Sequence, residues 1–259
     1  MDSGIGGRVG EEMARVVEVD LREFDMSDKS VALVIGGGSG IGADAARAFH
    51  ERGYSVGVMS SSGKGERLAN ELGGFGYTGS NLVVEDLEGF VDGAIARFGR
   101  VDAVVNSTGH GAKGGVLELS DDEWHTGMDI YLTSVIRVAR LVVPVMKQQG
   151  GGSIVNVSSF AAVEPDPDFP TSAVFRAGLS AFTKMFSTEF ARESIRMNNV
   201  LPGFVDSLPE TEARRERIAI GRYTSVREIS EAIVFLASDA SSSITGQNLR
   251  VDGGLTQSL

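Results

Sequence analysis

The chain has 259 residues, 42% hydrophobic and 23% charged, which suits one α/β domain with a large core or two small ones. Its 35 acidic against 24 basic residues give a formal net charge of -11, which argues against nucleic acid and an anionic membrane surface as partners. With no cysteine and three scattered histidines, disulfides, thiolate catalysis and zinc–thiolate sites are excluded, and no metal site is expected.

No apolar run approaches the ~20 residues of a membrane span, and the first residues lack a basic-then-apolar signal pattern, so a soluble cytoplasmic protein is expected. Residues 1–28 are polar and acidic and delay the first strand by a full segment. They read as a flexible extension, or as the product of an upstream start, with Met26 a natural beginning for the domain. The alternative is an interaction helix over residues 11–21, with Met13, Val16, Val17 and Leu21 on one side.

The stretch that organises the rest is SVALVIGGGSGIGADAARAFHERG, residues 30–53. An apolar run of strand length, 31–35, leads into five glycines, Gly36, Gly37, Gly38, Gly40 and Gly42, and then into a helix over 43–52. Glycines let the backbone bend sharply and approach a ligand closely. The helix behind them points unpaired N–H groups and its positive end at the loop, a ready site for a pyrophosphate. The alternative is a glycine-rich turn that merely packs helix on sheet.

Further on, strands are expected at 54–59, 76–78, 101–105, 195–201 and 248–251, with a turn plus strand in GGGSIVNVSS, 150–159. Helices are expected at 66–72, 85–98, 120–147, 171–194 and 226–238, with a short helix in the charged connector 202–222. Ser120 and Glu123 have capping-box spacing, and Pro144 is a candidate kink in the helix they start. Short apolar strands alternating with helices indicate a doubly wound parallel sheet of about seven strands, a Rossmann-type α/β fold, in a single domain over 29–259.

The motifs then become recognisable. IGGGSGIG (35–42), NSTG (106–109), IVNVSS (154–159), RMNNVLPGFVDS (196–207) and ITGQNLRVDGG (244–254) occur in the order seen in the short-chain dehydrogenase/reductase family. From about Met26 onward the chain resembles that family. The resemblance implies an NAD(P)-dependent oxidoreductase acting on a small molecule, here a carbonyl reductase or alcohol dehydrogenase. It implies cofactor contacts from Gly36, Ser39, Gly40, Ile41 and Gly42, from Asn81 and Leu82, from Asn106 and Gly109, and from Pro202, Gly203, Val205 and Ser207. Its members use two long helices to form homodimers or homotetramers, so a homo-oligomer is expected.

At the end of the second strand stand Ser60, Ser61 and Ser62, with Lys64 nearby and no acid. A carboxylate there would bind the adenine ribose 2′-OH and repel a 2′-phosphate, whereas hydroxyls and an ammonium can hold a phosphate. NADP(H) is therefore favoured over NAD(H). Three serines forming only a polar turn is the alternative.

The family's usual site is Ser, Tyr and Lys, with an Asn from the long helix. Ser159 fits the serine. The lysine frame falls on RAGLSAFTK, so Arg176 stands for Lys and Ser172, one helical turn earlier, for Tyr; Tyr131 stands where Asn is expected. A serine hydroxyl is far less acidic than a phenol, and arginine does not shuttle protons, although Arg176 keeps a positive charge that could still clamp the cofactor's ribose hydroxyls. Either hydride transfer survives with another proton donor, Tyr131 first and His110 second, or the site is non-redox and binds nucleotide as a sensor or partner or catalyses another polar reaction. Each residue also has a structural reading. Tyr131 fills the volume left by Ser172, His110 is a surface-loop residue, and Arg176 pairs with Glu164 or Asp166. The halohydrin dehalogenases are similar and share the arginine, but they lose the dinucleotide glycine loop that is intact here.

Overall fold

In the first strand, β1 (Val31–Ile35), every side chain is 0–1% exposed, because both faces of the sheet are covered. Val31, Leu33 and Ile35 enter one core and Ala32 and Val34 the other, the two-residue alternation of a strand. The computed structural model describes residues 29–258. The expected extension and the candidate helix at 11–21 lie outside the described residues.

Six more strands follow, β2 (Ser55–Ser60), β3 (Phe75–Thr78), β4 (Ala103–Asn106), β5 (Gly152–Val157), β6 (Ile195–Pro202) and β7 (Asn248–Val251). All pair in parallel in the order β3-β2-β1-β4-β5-β6-β7. The helices are α1 (Gly40–Glu51), α2 (Lys64–Glu71), α3 (Val84–Phe98), α4 (Asp121–Met128), α5 (Ser134–Gln149), α6 (Pro170–Phe190), α7 (Glu212–Arg215) and α8 (Val226–Ala237). Apolar residues of α1, α2 and α8 close one core, and those of α3, α5 and α6 the other. This is the expected doubly wound single domain. The order reverses between β1 and β4, and a ligand crevice forms at the carboxyl ends of such a pair. Among the described residues, no helix is long and apolar enough to cross a membrane.

The predicted helix over 120–147 is corrected. Ser120 does cap it, and its side chain and that of Glu123 each accept the other's backbone N–H. After Met128, however, the helix widens into a π-helical turn, Asp129–Thr133, before α5 begins. The hydroxyls of Thr108 and Ser134 both donate to the carbonyl of Ile130, at 3.1 and 2.9 Å. They supply the bonds that the widened turn loosens and stitch it to the loop after β4. Pro144 causes no break, since α5 runs through it to Gln149.

Candidate functional site

At the switch point lies a cleft of about 570 Å³. Its β1 wall is the glycine loop. Gly36 has φ +80, and a Cβ there would lie 2.0 Å from the carbonyl oxygen of Ser107 in the loop after β4. The two loops touch only because Gly36 has no side chain. Gly40, at φ +52, opens α1 behind Ser39, whose side chain makes no cap. No acid sits in the first turn. The leading N–H groups of α1 are thus left for a ligand, with the positive end of the helix behind them. Gly42 does not line the cleft. A Cβ there would meet the Gly36 carbonyl oxygen at 2.4 Å, so its smallness seats the helix on its own loop.

Along the β2 edge, Ser60, Ser61, Ser62 and Asn81 line the cleft, while Lys64 and Leu82 do not. The hydroxyl of Ser60 accepts the N–H of Gly65 at 2.8 Å and ties down α2, which leaves Ser61 and Ser62 as the exposed hydroxyls. Lys64 is exposed as the first residue of α2, its Cβ 3.4 Å from where a Cβ on Gly38 would be. Opposite, Pro202, Gly203, Val205 and Ser207 form the far wall, and Ser207 reaches over Gly40.

Asn106 ends β4 but also stays out of the cleft. Its amide donates to Asn156, that of Asn156 to Asn199, and that of Asn199 to Asn248, at 2.8–2.9 Å throughout. These four are register partners across β4, β5, β6 and β7, so Asn106 belongs to a ladder that holds the strand ends level. Gly109 lines the cleft, and a Cβ there would meet nothing within 4 Å.

The remaining wall carries the candidate catalytic side chains. Ser159, Ser172, Arg176, Tyr131 and His110 all line it. Ser159 follows β5, and its oxygen accepts the N–H of Ala161, which leaves its proton free. Ser172 and Arg176 are one turn apart on α6. Tyr131, on the π-helical turn, is 5% exposed. Its oxygen accepts the N–H of Gly111 at 2.5 Å, and the Arg176 guanidinium sits 4.4 Å from its ring centre. Arg176 is itself buried and donates to the carbonyl of Val157. Burial pushes its pKa down to about 10, so it remains a cation at neutral pH. The expected pairing with Glu164 or Asp166 is not found. Glu164 accepts N–H groups of Gln257 and Ser258, and Asp166 faces Arg217. His110 is exposed on the loop after β4, yet partial desolvation, then the charges of Arg176 and Lys113, lower its pKa, so it is neutral near pH 7.

Comparison with known proteins bears on this arrangement. The family model for enoyl-(acyl carrier protein) reductase matches residues 36–256. The 3-oxoacyl-(acyl-carrier-protein) reductase FabG of Thermotoga maritima is 33% identical over 239 residues, 87% of this chain and 97% of that protein. The chain belongs to the short-chain dehydrogenase/reductase family. Two further relatives are the trans-4-hydroxycyclohexanecarboxylate dehydrogenase of Sinomonas cyclohexanicum, 34% identical over 91% of this chain and 96% of that protein, and the D-threitol dehydrogenase of Mycolicibacterium smegmatis, 32% identical over 90% and 96%. The named relatives are oxidoreductases, and the family uses NAD(P)(H).

The cleft fits such a dinucleotide. Among the described residues, six buried side-chain polar atoms have no partner, and three of them line this cleft: Asn81 Nδ2, Ser158 Oγ and Arg176 Nε. A buried polar group left unpaired costs about 1–3 kcal/mol, and a polar ligand would relieve that cost. Sequence reasoning missed several lining residues, among them Lys113, Phe160, Phe169 and Phe204. Phe204 lies within RMNNVLPGFVDS but is not singled out by it, and no short motif covers the other three. Only the spacing of aromatics around the 160–170 and 203–208 loops carried a signal.

Proposed function

We propose that the protein is an NADP(H)-dependent carbonyl reductase or alcohol dehydrogenase in which Tyr131 is the displaced proton donor. The observation that carries this reading is the setting of Tyr131. Its phenol is not packed into an apolar core. It lines the cleft with its oxygen held by the Gly111 N–H, its proton uncommitted, and a guanidinium at its ring face. Ser159 keeps a free O–H on the same wall.

The roles divide as follows. The glycine loop from Gly36 to Gly40 and the head of α1 hold the pyrophosphate. Asn81 takes the adenine. Ser61, Ser62 and Lys64 hold a 2′-phosphate, which is why NADP(H) is favoured, and no carboxylate stands among residues 60–64 to repel it. Ser207, Val205 and Gly203 close over the nicotinamide end. When bound, the dinucleotide supplies or accepts a hydride. In the reducing direction the carbonyl carbon gains that hydride, and the carbonyl oxygen takes a hydrogen bond from Ser159 and the proton from Tyr131. Arg176 supplies positive charge beside the phenol. Ser172 is a small hydroxyl lining the wall and carries no proton-transfer step. Exposed Val174 and Met185 on α6 support a homodimer or homotetramer through that helix.

The test is a titration with NADPH and NADH followed by a screen of ketones and aldehydes. NADPH is expected to bind the more tightly. Tyr131→Phe should lower kcat by about 10²–10³-fold with the NADPH Kd unchanged within about threefold. Tight NADPH binding without turnover of any carbonyl would replace this reading with a non-redox, nucleotide-binding one.

A further inference from the structure

The cleft departs from the charge of the whole molecule. The chain carries 35 acids against 24 bases, yet no Asp or Glu lines the cleft, while Arg176, Lys113 and His110 do. Arg176 is 8% exposed, and its Nε has no partner. No carboxylate of the described residues pairs with it or with Lys113. Lys113 is seated over the ring of Phe169, 5.2 Å from its centre, at the junction with a small outer pocket that also holds Arg214 and Asp168. A cation kept out of water without a counter-charge is costly, and Arg176 is one; Lys113, exposed at the mouth of the cleft, adds a second positive charge, and a wall carrying both attracts anions.

A dinucleotide leaves these charges unbalanced, since a hydroxyl of its ribose can accept from Arg176 but brings no counter-charge. Its phosphates would meet the glycine loop after β1 and the turn after β2. Lys113, His110 and Arg176 come from the loop after β4 and from α6, across the switch point. A nicotinamide is neutral when reduced and cationic when oxidised, so it offers Arg176 no counter-charge in either state.

We propose that the substrate is an organic anion, an oxo acid or hydroxy acid, whose carboxylate docks against Lys113 and His110 in the field of Arg176. This deepens the reductase reading and rests on it for the identity of the reacting carbonyl. Neutral His110 would donate an N–H, Lys113 a charge-assisted bond, and the aromatic wall of Phe160, Phe169 and Phe204 would take the apolar body of the acid.

The experiment titrates pyruvate, 4-oxopentanoate and phenylglyoxylate, each beside its methyl ester, into the full chain saturated with NADP⁺, so that no reduction occurs during binding. At least one acid is expected to bind about tenfold or more tighter than its ester at low salt, the ratio shrinking as salt rises. Lys113→Gln should bring that ratio within about twofold, and Lys113→Arg should preserve it. Equal binding of acids and esters, no binding of any acid, or a preference that survives Lys113→Gln would overturn the proposal. Turnover with NADPH separates the two readings. Acid-selective binding without NADPH oxidation keeps the anion site and removes the reductase reading, whereas reduction of esters as well as acids keeps the reductase and removes the anion site.

Discussion

The two halves of the cleft are made of different material. On the β1 and β2 side the wall is largely backbone, with glycines at positive φ, the open end of α1 and two exposed serines. On the β4, β5 and α6 side it is side chain, with Tyr131, Ser159, Ser172 and Arg176 projecting from three different elements. A wall of backbone ties the sequence to the fold, because only glycine fits there. A wall of side chains can be exchanged without moving the chain. The glycines of the expected motif are accordingly present in the first half, and the substitutions expected at Tyr131, Ser172 and Arg176 fall in the second.

The largest effect should come from breaking the backbone half. Gly36→Ala combines a left-handed φ with a Cβ 2.0 Å from a carbonyl oxygen, and neither side of that contact can swing away. It should cost about 3 kcal/mol or more and remove NADPH binding, read by urea unfolding and by titration. Gly53→Ala is the matched control. Its φ is +85, but nothing lies within 4 Å, so only the conformational cost of about 1 kcal/mol applies. Equal losses at the two sites would mean that the contact between the loops after β1 and β4 contributes nothing.

A gain in stability is expected from the side-chain half. Arg176 is charged, buried and without a carboxylate partner, and desolvation lowers its pKa to about 10. The unfolded chain therefore binds more protons than the folded one from about pH 10 up to the ordinary arginine range, and stability rises with pH across that window. Below it the burial cost is present in full. Arg176→Met, of similar length and uncharged, should stabilise the apo protein by about 1–2 kcal/mol while impairing turnover. If unfolding shows a loss instead, the bond to Val157 and the stacking on Tyr131 outweigh desolvation, and the site is not held at a cost for function.

What could be read from the chain divides along the same line. Strand order, the switch point and the glycine loop follow from apolar runs and glycine spacing, which are local and carry a fixed geometry. The asparagines at 106, 156, 199 and 248 could be seen as residues, but their ladder required the register of four strands. The widened turn at Asp129–Thr133 was hidden because a helix with one extra residue per turn keeps ordinary helical composition, and the hydroxyl from Thr108 that supports it comes from 22 residues away. Arg176 was legible as a candidate replacement, but its lack of a carboxylate partner was not, since Glu164 and Asp166 stood close in sequence and turn out to be committed elsewhere.

The smallest effect concerns His110, and it measures the positive field of the side-chain half directly. Partial desolvation, Arg176 and Lys113 all push its pKa below the ordinary 6.5. Between the lowered value and 6.5 the unfolded chain binds more protons, so stability should fall as the pH drops below about 6.5 and stay level above it. Unfolding at pH 7.5 and 5.5 should therefore show a small acid loss that His110→Asn removes. Lys113→Gln should shrink that loss without abolishing it, because partial desolvation and Arg176 remain. An acid loss unchanged by His110→Asn would place the titrating group elsewhere. An acid loss in wild type that Lys113→Gln leaves untouched would mean that Lys113 adds nothing to the field at His110, and the positive charge of this half would then rest on Arg176.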